Sequence, residues 1–282
     1  MTPPEQAARD IRLYVQRYDP EREGSRRWWQ EYPLHVTAGM TVLEGLHAVK
    51  EEQDATICYR FSCRMGVCGS CGMLINGKLA LACNTQILHV ADRTLALAPM
   101  PNFDVVRDLV PDLGPLFEKH QSVEPYLQRP DLDELENPTG EFLQTKEQLD
   151  EYLQFSCCIR CGLCVASCPT VATDERYIGP MALAQAERYN TDRRDGGFHS
   201  RKHVVGATGG AFSCHYAGEC SNVCPKGVDP ARAIQRLKRD LVFDYLRLRR
   251  GREPSPVLGT PKDAQRRPEI PEAPPHSVES AP

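Results

Sequence analysis

All but two of the thirteen cysteines in this 282-residue chain fall into three short groups. The first is Cys63-x4-Cys68-x2-Cys71 followed by Cys83, which is plant-type [2Fe–2S] spacing. The second is Cys158-x2-Cys161-x2-Cys164-x3-Cys168-Pro169, the run that holds cubane clusters in bacterial two-cluster proteins. The third, Cys214-x5-Cys220-x3-Cys224-Pro225, is the same run with Ala217 where its second cysteine belongs. Three unlike iron-binding groups in one chain describe an electron wire. No paired acid and base and no nucleophile arrangement argues for hydrolysis or group transfer.

A [2Fe–2S] cluster takes four thiolates, and one loop can supply three. Gly66, Gly69 and Gly72 let the loop backbone approach closely and aim N–H groups at sulfur, and Arg64 adds positive charge. Such hydrogen bonds and charges tune the reduction potential. After Cys71, Asn76-Gly77 between two apolar runs predicts a hairpin that returns Cys83 to the loop. Four cysteines also suit structural zinc. The four-residue gap before Cys-x2-Cys, with glycines inside it, favours iron.

In two-cluster proteins the last cysteine of each run ligates the other cluster. Applied here, Cys158, Cys161, Cys164 and Cys224 hold a [4Fe–4S] cluster, and Cys168, Cys214 and Cys220 hold the other. Three thiolates without a fourth imply [3Fe–4S], whose potential should lie above that of the [4Fe–4S] site. The alternative is four irons with water or His215 in place of the thiolate. Cys58 and Cys157 lie outside the spacing and read as small buried hydrophobes; the other possibility is that either displaces its neighbour as ligand.

The positioning elements follow. Ile11, Leu13 and Val15 alternate as a strand. Thr41 and Glu44 fit a capping box that opens a helix carrying Leu43 and Leu46. The expected fold class is α+β: an N-terminal β-grasp plant-type ferredoxin domain over 1–105, then a mainly α-helical bacterial-ferredoxin-like domain over 145–250 holding two clusters. Residues 106–144 read as a linker rich in proline and acid. Helices are expected over Thr145–Gln154, over Pro180–Tyr189 and from Pro230 behind an Asp229 cap. The last carries Ile234, Leu237, Leu241, Tyr245 and Leu248 on one side, with Arg232, Arg236, Lys238, Arg239, Arg247, Arg249 and Arg250 as a basic run. That run reads as a solvated face or as one drawn to anionic headgroups. Residues 251–282 form a Pro-rich tail expected to be disordered on its own.

The formal net charge of −4 gives no reason to expect nucleic acid as a partner. The N-terminus lacks a basic segment followed by an apolar run, so no secretory signal is expected. Arg26-Arg27 precedes Trp-Trp-Gln-Glu rather than a long apolar stretch, so no twin-arginine signal is expected either. No apolar run approaches the ~20 residues that span a bilayer.

Three groups in this order resemble the iron–sulfur subunit of succinate dehydrogenase and fumarate reductase, over roughly residues 9 to 250. The segments carrying the resemblance are Tyr59–Gly72, Cys158–Pro169, Ile178-Gly-Pro180 and Cys224–Ile234. It implies a peripheral subunit on the cytoplasmic membrane face, lying between an FAD-containing flavoprotein and membrane anchor subunits. It further implies quinone near the [3Fe–4S] cluster, with Pro169, His215 and Lys238 matching the family's quinone-side positions. Ubiquinone-linked members carry tryptophan shortly after the Cys-Pro; here the chain reads Pro169-Thr-Val-Ala-Thr173, which with Arg188-Tyr-Asn190 and the Cys-Gly-Leu-Cys run leans towards menaquinone. The competing readings are a related wire serving another flavoprotein, such as a thiol-linked fumarate reductase or a 2-hydroxyacid oxidase, and a zinc-stabilised interaction module. Ala217 fits the related wires less well, and metal analysis separates the zinc module.

Overall fold

The computed structural model describes residues 8–22, 24, 26–137, 140–248 and 258–259. Strand β1 (Arg9–Arg17) is followed by β2 (Trp28–Val36), helix α1 (Val42–Glu52), β3 (Gly72–Ile75), β4 (Lys78–Leu81), α2 (Ile87–Val90) and β5 (Thr94–Ala98). The strands form one mixed sheet in the order β2-β1-β5-β3-β4, with β1 and β5 parallel and the other pairs antiparallel. Ile11, Leu13 and Val15 point into the core, as their alternation predicts. They pack with Leu34 and Val36 of β2 and with Val42, Leu43, Leu46 and Val49 of α1. The Thr41–Glu44 capping box is present in full.

A buried polar knot pins this unit. The Arg17 guanidinium donates to Asp108 at 2.9 Å, to Asp54 at 2.8 Å and to Tyr32 Oη at 2.9 Å. Burial alone would raise the Asp54 carboxyl. Hydrogen bonds from Thr56, Tyr32 and Arg17 together outweigh it and hold Asp54 well below the usual carboxylate range.

The segment expected as a linker is packed chain. It carries the small pair β6 (Val105–Arg107) and β7 (Val110–Pro111), helix α3 (Gly114–Ser122) and α4 (Leu132–Glu136). Leu109, Leu116 and Val123 are buried in three different hydrophobic clusters. Apolar residues spaced through this stretch therefore tie it into the cores on both sides of it, despite its prolines and acids.

After β8 (Gly140–Glu141), the remainder is helical: α5 (Lys146–Asp150), α6 (Leu153–Ser156), α7 (Leu163–Ala166), α8 (Pro169–Thr173), α9 (Pro180–Thr191), α10 (Phe198–Val205), α11 (Glu219–Asn222) and α12 (Pro230–Tyr245). The helix expected over 145–154 starts at its Thr145 cap but breaks at Tyr152. Tyr152 is buried, and its hydroxyl donates to Gln144, which turns the chain inward. The basic run on α12 is divided rather than uniformly solvated. Arg236 pairs with the buried Glu187 at 2.7 Å, whereas Arg232, Arg239 and Arg247 are exposed. Its apolar side divides too: Ile234 and Leu237 are buried, Tyr245 is 86% exposed, and Leu248 lies past the helix end. Arg249, Arg250 and nearly all of the 251–282 tail lie outside the described residues. The exception is β9 (Leu258–Gly259), which pairs with β8. Among the described residues, no helix is long and apolar enough to cross a membrane.

Candidate functional site: three groups of thiols

The first group is built by a loop and a hairpin. Asn76 and Gly77 both adopt positive φ (46° and 77°), the tight turn that suits paired twisted strands. The β3–β4 pairing places Leu81 opposite Gly72, so Cys83 returns beside Cys71, and its N–H reaches Cys71 Sγ at 3.4 Å. Within the loop, the amides of Val67 and Cys68 each donate to Cys63 Sγ at 3.3 Å. The Gly66 amide donates to Cys83 Sγ at 3.3 Å. Led by the Ser70 hydroxyl, hydrogen bonds pull the Cys68 thiol down to about 6, while burial and its thiol neighbours push Cys71 up to about 12. Backbone donors converging on sulfur fit anionic, iron-bound thiolates.

Cys158, Cys161, Cys164 and Cys224 together line one cavity, with Ile159, Met181 and Val228 among its apolar walls. Cys168, Cys214 and Cys220 line a second cavity. These are the two sets that the exchanged-last-cysteine rule assigns. Burial pushes Cys161 and Cys220 each up to about 11 and Cys164 far above its ordinary value. Both pockets therefore need positive charge to hold thiolates, which iron bound there would supply. Among the described residues, no three Cys, His, Asp or Glu side chains converge on a point fit for a single metal ion. The thiols surround volumes instead.

The two cavity loops share one backbone. Arg160 has φ 54° and Gly162 φ 83°; Tyr216 has φ 59° and Gly218 φ 81°. Each left-handed glycine opens a one-turn helix, α7 or α11. Ala217 thus occupies in one loop the place that Cys161 holds in the other, and it lines the second cavity. Pro169 lines that cavity too. His215 is exposed and is not among its lining residues. Lys238 is half-buried and donates to the Cys214 carbonyl at 2.8 Å. Cys58 and Cys157 depart from the buried reading: Cys58 is half-buried and Cys157 is exposed, because α6 ends there and its thiol turns back to the Leu153 carbonyl.

Three features escape the motifs. Gly69 lies so close to Cys161 that a Cβ there would fall 2.5 Å from the Cys161 Cβ. The Asn102 amide bridges the carbonyls of Val165, Ala166 and Cys168, each at 3.0 Å, tying the sheet domain to α7. Tyr177 is fully buried at the second cavity. None has a local signature, since each depends on residues distant in sequence.

Family models describe the same two parts: a 2Fe-2S iron-sulfur cluster binding domain over residues 12–118 and a 4Fe-4S dicluster domain over residues 154–228. The chain is 46% identical over 228 residues to the fumarate reductase iron-sulfur subunit of Mycobacterium tuberculosis (strain CDC 1551 / Oshkosh), across 81% of this chain and 91% of the relative. The chain belongs to the fumarate reductase and succinate dehydrogenase iron–sulfur subunit family. A mitochondrial succinate dehydrogenase [ubiquinone] iron-sulfur subunit from Candida glabrata is 36% identical over 232 residues, covering 82% of this chain and 90% of its own. A chain of the Mycobacterium smegmatis Sdh1 complex in the apo form matches in fold with a TM-score of 0.72 at 27% identity, across 85% of this chain and 98% of that one. This iron–sulfur subunit is an electron-transfer component of an oxidoreductase complex.

Proposed function

We propose that this subunit conducts electrons between an FAD-containing flavoprotein and quinone bound at membrane anchor subunits, and that menaquinone is the quinone. Bound iron–sulfur clusters supply one-electron redox couples. Cys63, Cys68, Cys71 and Cys83 hold the [2Fe–2S] cluster. Cys158, Cys161, Cys164 and Cys224 hold [4Fe–4S], and Cys168, Cys214 and Cys220 hold [3Fe–4S]. The observation that carries the reading is the pair of adjoining cavities with matching loops, one walled by four thiols and the other by three with Ala217 in the fourth place.

The chain's own residues order and insulate the path. Amides of the first loop hold its sulfurs, and the Gly69–Cys161 approach brings the first and second groups together. Cys164 within α7 and Cys168 just beyond it, at the start of α8, link the second group to the third. At the third group, Pro169 lines the cavity, His215 faces outward, and Lys238 braces the Cys214 loop; these are the quinone-side residues. Phe212 and Tyr216, on either side of Cys214, are exposed aromatic side chains suited to contact with an anchor. Docked so, the subunit sits peripherally on the cytoplasmic membrane face.

The test is spectroscopic. The complex purified anaerobically should contain iron and acid-labile sulfide, a [3Fe–4S] signal when oxidised and a [2Fe–2S] signal when reduced. Zinc in place of iron, or no oxidised-state signal, would overturn it.

A further inference from the structure

Tyr177 ends the turn that leads into α9, and its side chain is wholly buried. Its backbone is held firmly: the carbonyl accepts from Lys119 Nζ at 2.8 Å, and its N–H donates to Asp174 at 3.1 Å. Its hydroxyl is different. It is buried and meets no acceptor with regular hydrogen-bond geometry; the side chain it faces is the thiol of Cys214, one of the three at the cavity. A phenol hydroxyl removed from water without a partner costs several kcal/mol, so buried hydroxyls almost always have one. Tyr177 lines the cavity bounded by Cys168, Cys214 and Cys220, among side chains that are otherwise mostly apolar. A phenol ionises only at about pH 10, so at neutral pH the hydroxyl keeps its proton and is a donor.

We propose that the Tyr177 hydroxyl donates a hydrogen bond to a sulfur atom of the cluster held in the third thiol group and thereby raises that cluster's reduction potential. The inference rests on the cluster reading above. A donor facing a cluster sulfur stabilises the more negative, reduced form over the oxidised one. The couple takes up one electron, the centre is reduced, and the hydroxyl retains its proton, so no bond is made or broken. Tyr177 thus tunes the cluster that it touches. It helps to make the third centre the high-potential end of the wire, an effect additional to the missing thiolate at Ala217.

The experiment is a redox titration of the purified complex, following the oxidised-state signal of the third centre. Tyr177→Phe removes the oxygen and leaves the ring to fill its space. The expected result is unchanged iron and sulfide content with reduction disfavoured about tenfold, a downward shift of about 59 mV for a one-electron couple. An unchanged midpoint in a fully assembled variant overturns the inference and leaves the cluster reading intact. Absence of the signal from the wild-type complex removes both. Should the Phe variant fail to assemble, difluorotyrosine placed at position 177 alone supplies a stronger donor of nearly the same shape. Its midpoint should rise above that of the wild type, and no rise overturns the inference.

Discussion

Gly69 and Cys161 touch backbone to backbone across the two domains: a Cβ on Gly69 would lie 2.5 Å from the Cβ and 2.9 Å from the Cα of Cys161. Carbon atoms pack at about 3.5–4.0 Å, so any side chain there must push the loops apart by ~1 Å or more. Electron tunnelling weakens exponentially with distance. Gly69→Ala should therefore slow electron passage between the first two centres several-fold and weaken the magnetic broadening that each reduced centre imposes on the other. Gly77→Ala, at a similar positive φ with nothing within 4 Å, controls for backbone strain. Equal effects from both substitutions would remove the contact from the path.

Ala217→Cys restores a thiolate at the place equivalent to Cys161. The third centre should gain iron, lose its oxidised-state signal, fall in potential and pass electrons to quinone more slowly. Unchanged iron content would mean that the loop equivalence does not determine cluster type.

Neighbouring cysteines should differ sharply. Cys158 lines the first cavity while Cys157 is exposed. Cys158→Ser should abolish or alter the [4Fe–4S] signal, whereas Cys157→Ser and Cys58→Ser should leave all three centres in place. The converse at 157 and 158 would reverse the ligand assignment.

Lys238 is braced on the Cys214 carbonyl, which makes a freely solvated lysine an incomplete description. Lys238→Leu should slow electron flow to quinone while flavin-site turnover with an artificial acceptor stays near wild type. Parallel losses in the two assays would assign Lys238 to holding the loop alone.

The Arg17 knot makes a stability prediction. Arg17 and Asp108 are 5% and 1% exposed, and removing one member of a buried pair costs about 3–5 kcal/mol. Arg17→Met should lower the urea midpoint reported by Trp28 and Trp29, the chain's two tryptophans, both in β2. Asp54 adds a pH dependence. Its folded-state value lies below its unfolded one, so its contribution is complete above the ordinary carboxylate range and fades as pH falls through the folded value. The gap between wild type and Asp54→Asn should therefore be widest near neutrality and close in strong acid. A gap that widens in acid would contradict the assignment.

Whatever is settled within a few residues was legible in the sequence. Ligand runs are short because one loop must wrap one cluster, so Cys63–Cys71 and Cys158–Cys168 declare themselves by spacing. The Asn76-Gly77 turn, the Thr41–Glu44 cap and the alternation in β1 are likewise local, each dictated by backbone geometry over at most a few residues. Even the exchange of Cys224 and Cys168 follows from a general rule once both runs are seen. Other features needed the folded chain. Residues 106–144 look polar and proline-rich as a string, yet Leu109, Leu116 and Val123 become core because sheet and helices close over them. The basic run on α12 separates into Arg236, used internally, and exposed neighbours only when Glu187 is brought beside it. The approach of Gly69 to Cys161, the Asn102 brace and the buried hydroxyl of Tyr177 join residues far apart in sequence. Their partners are chosen by the packing of two domains against each other, and no local pattern encodes that.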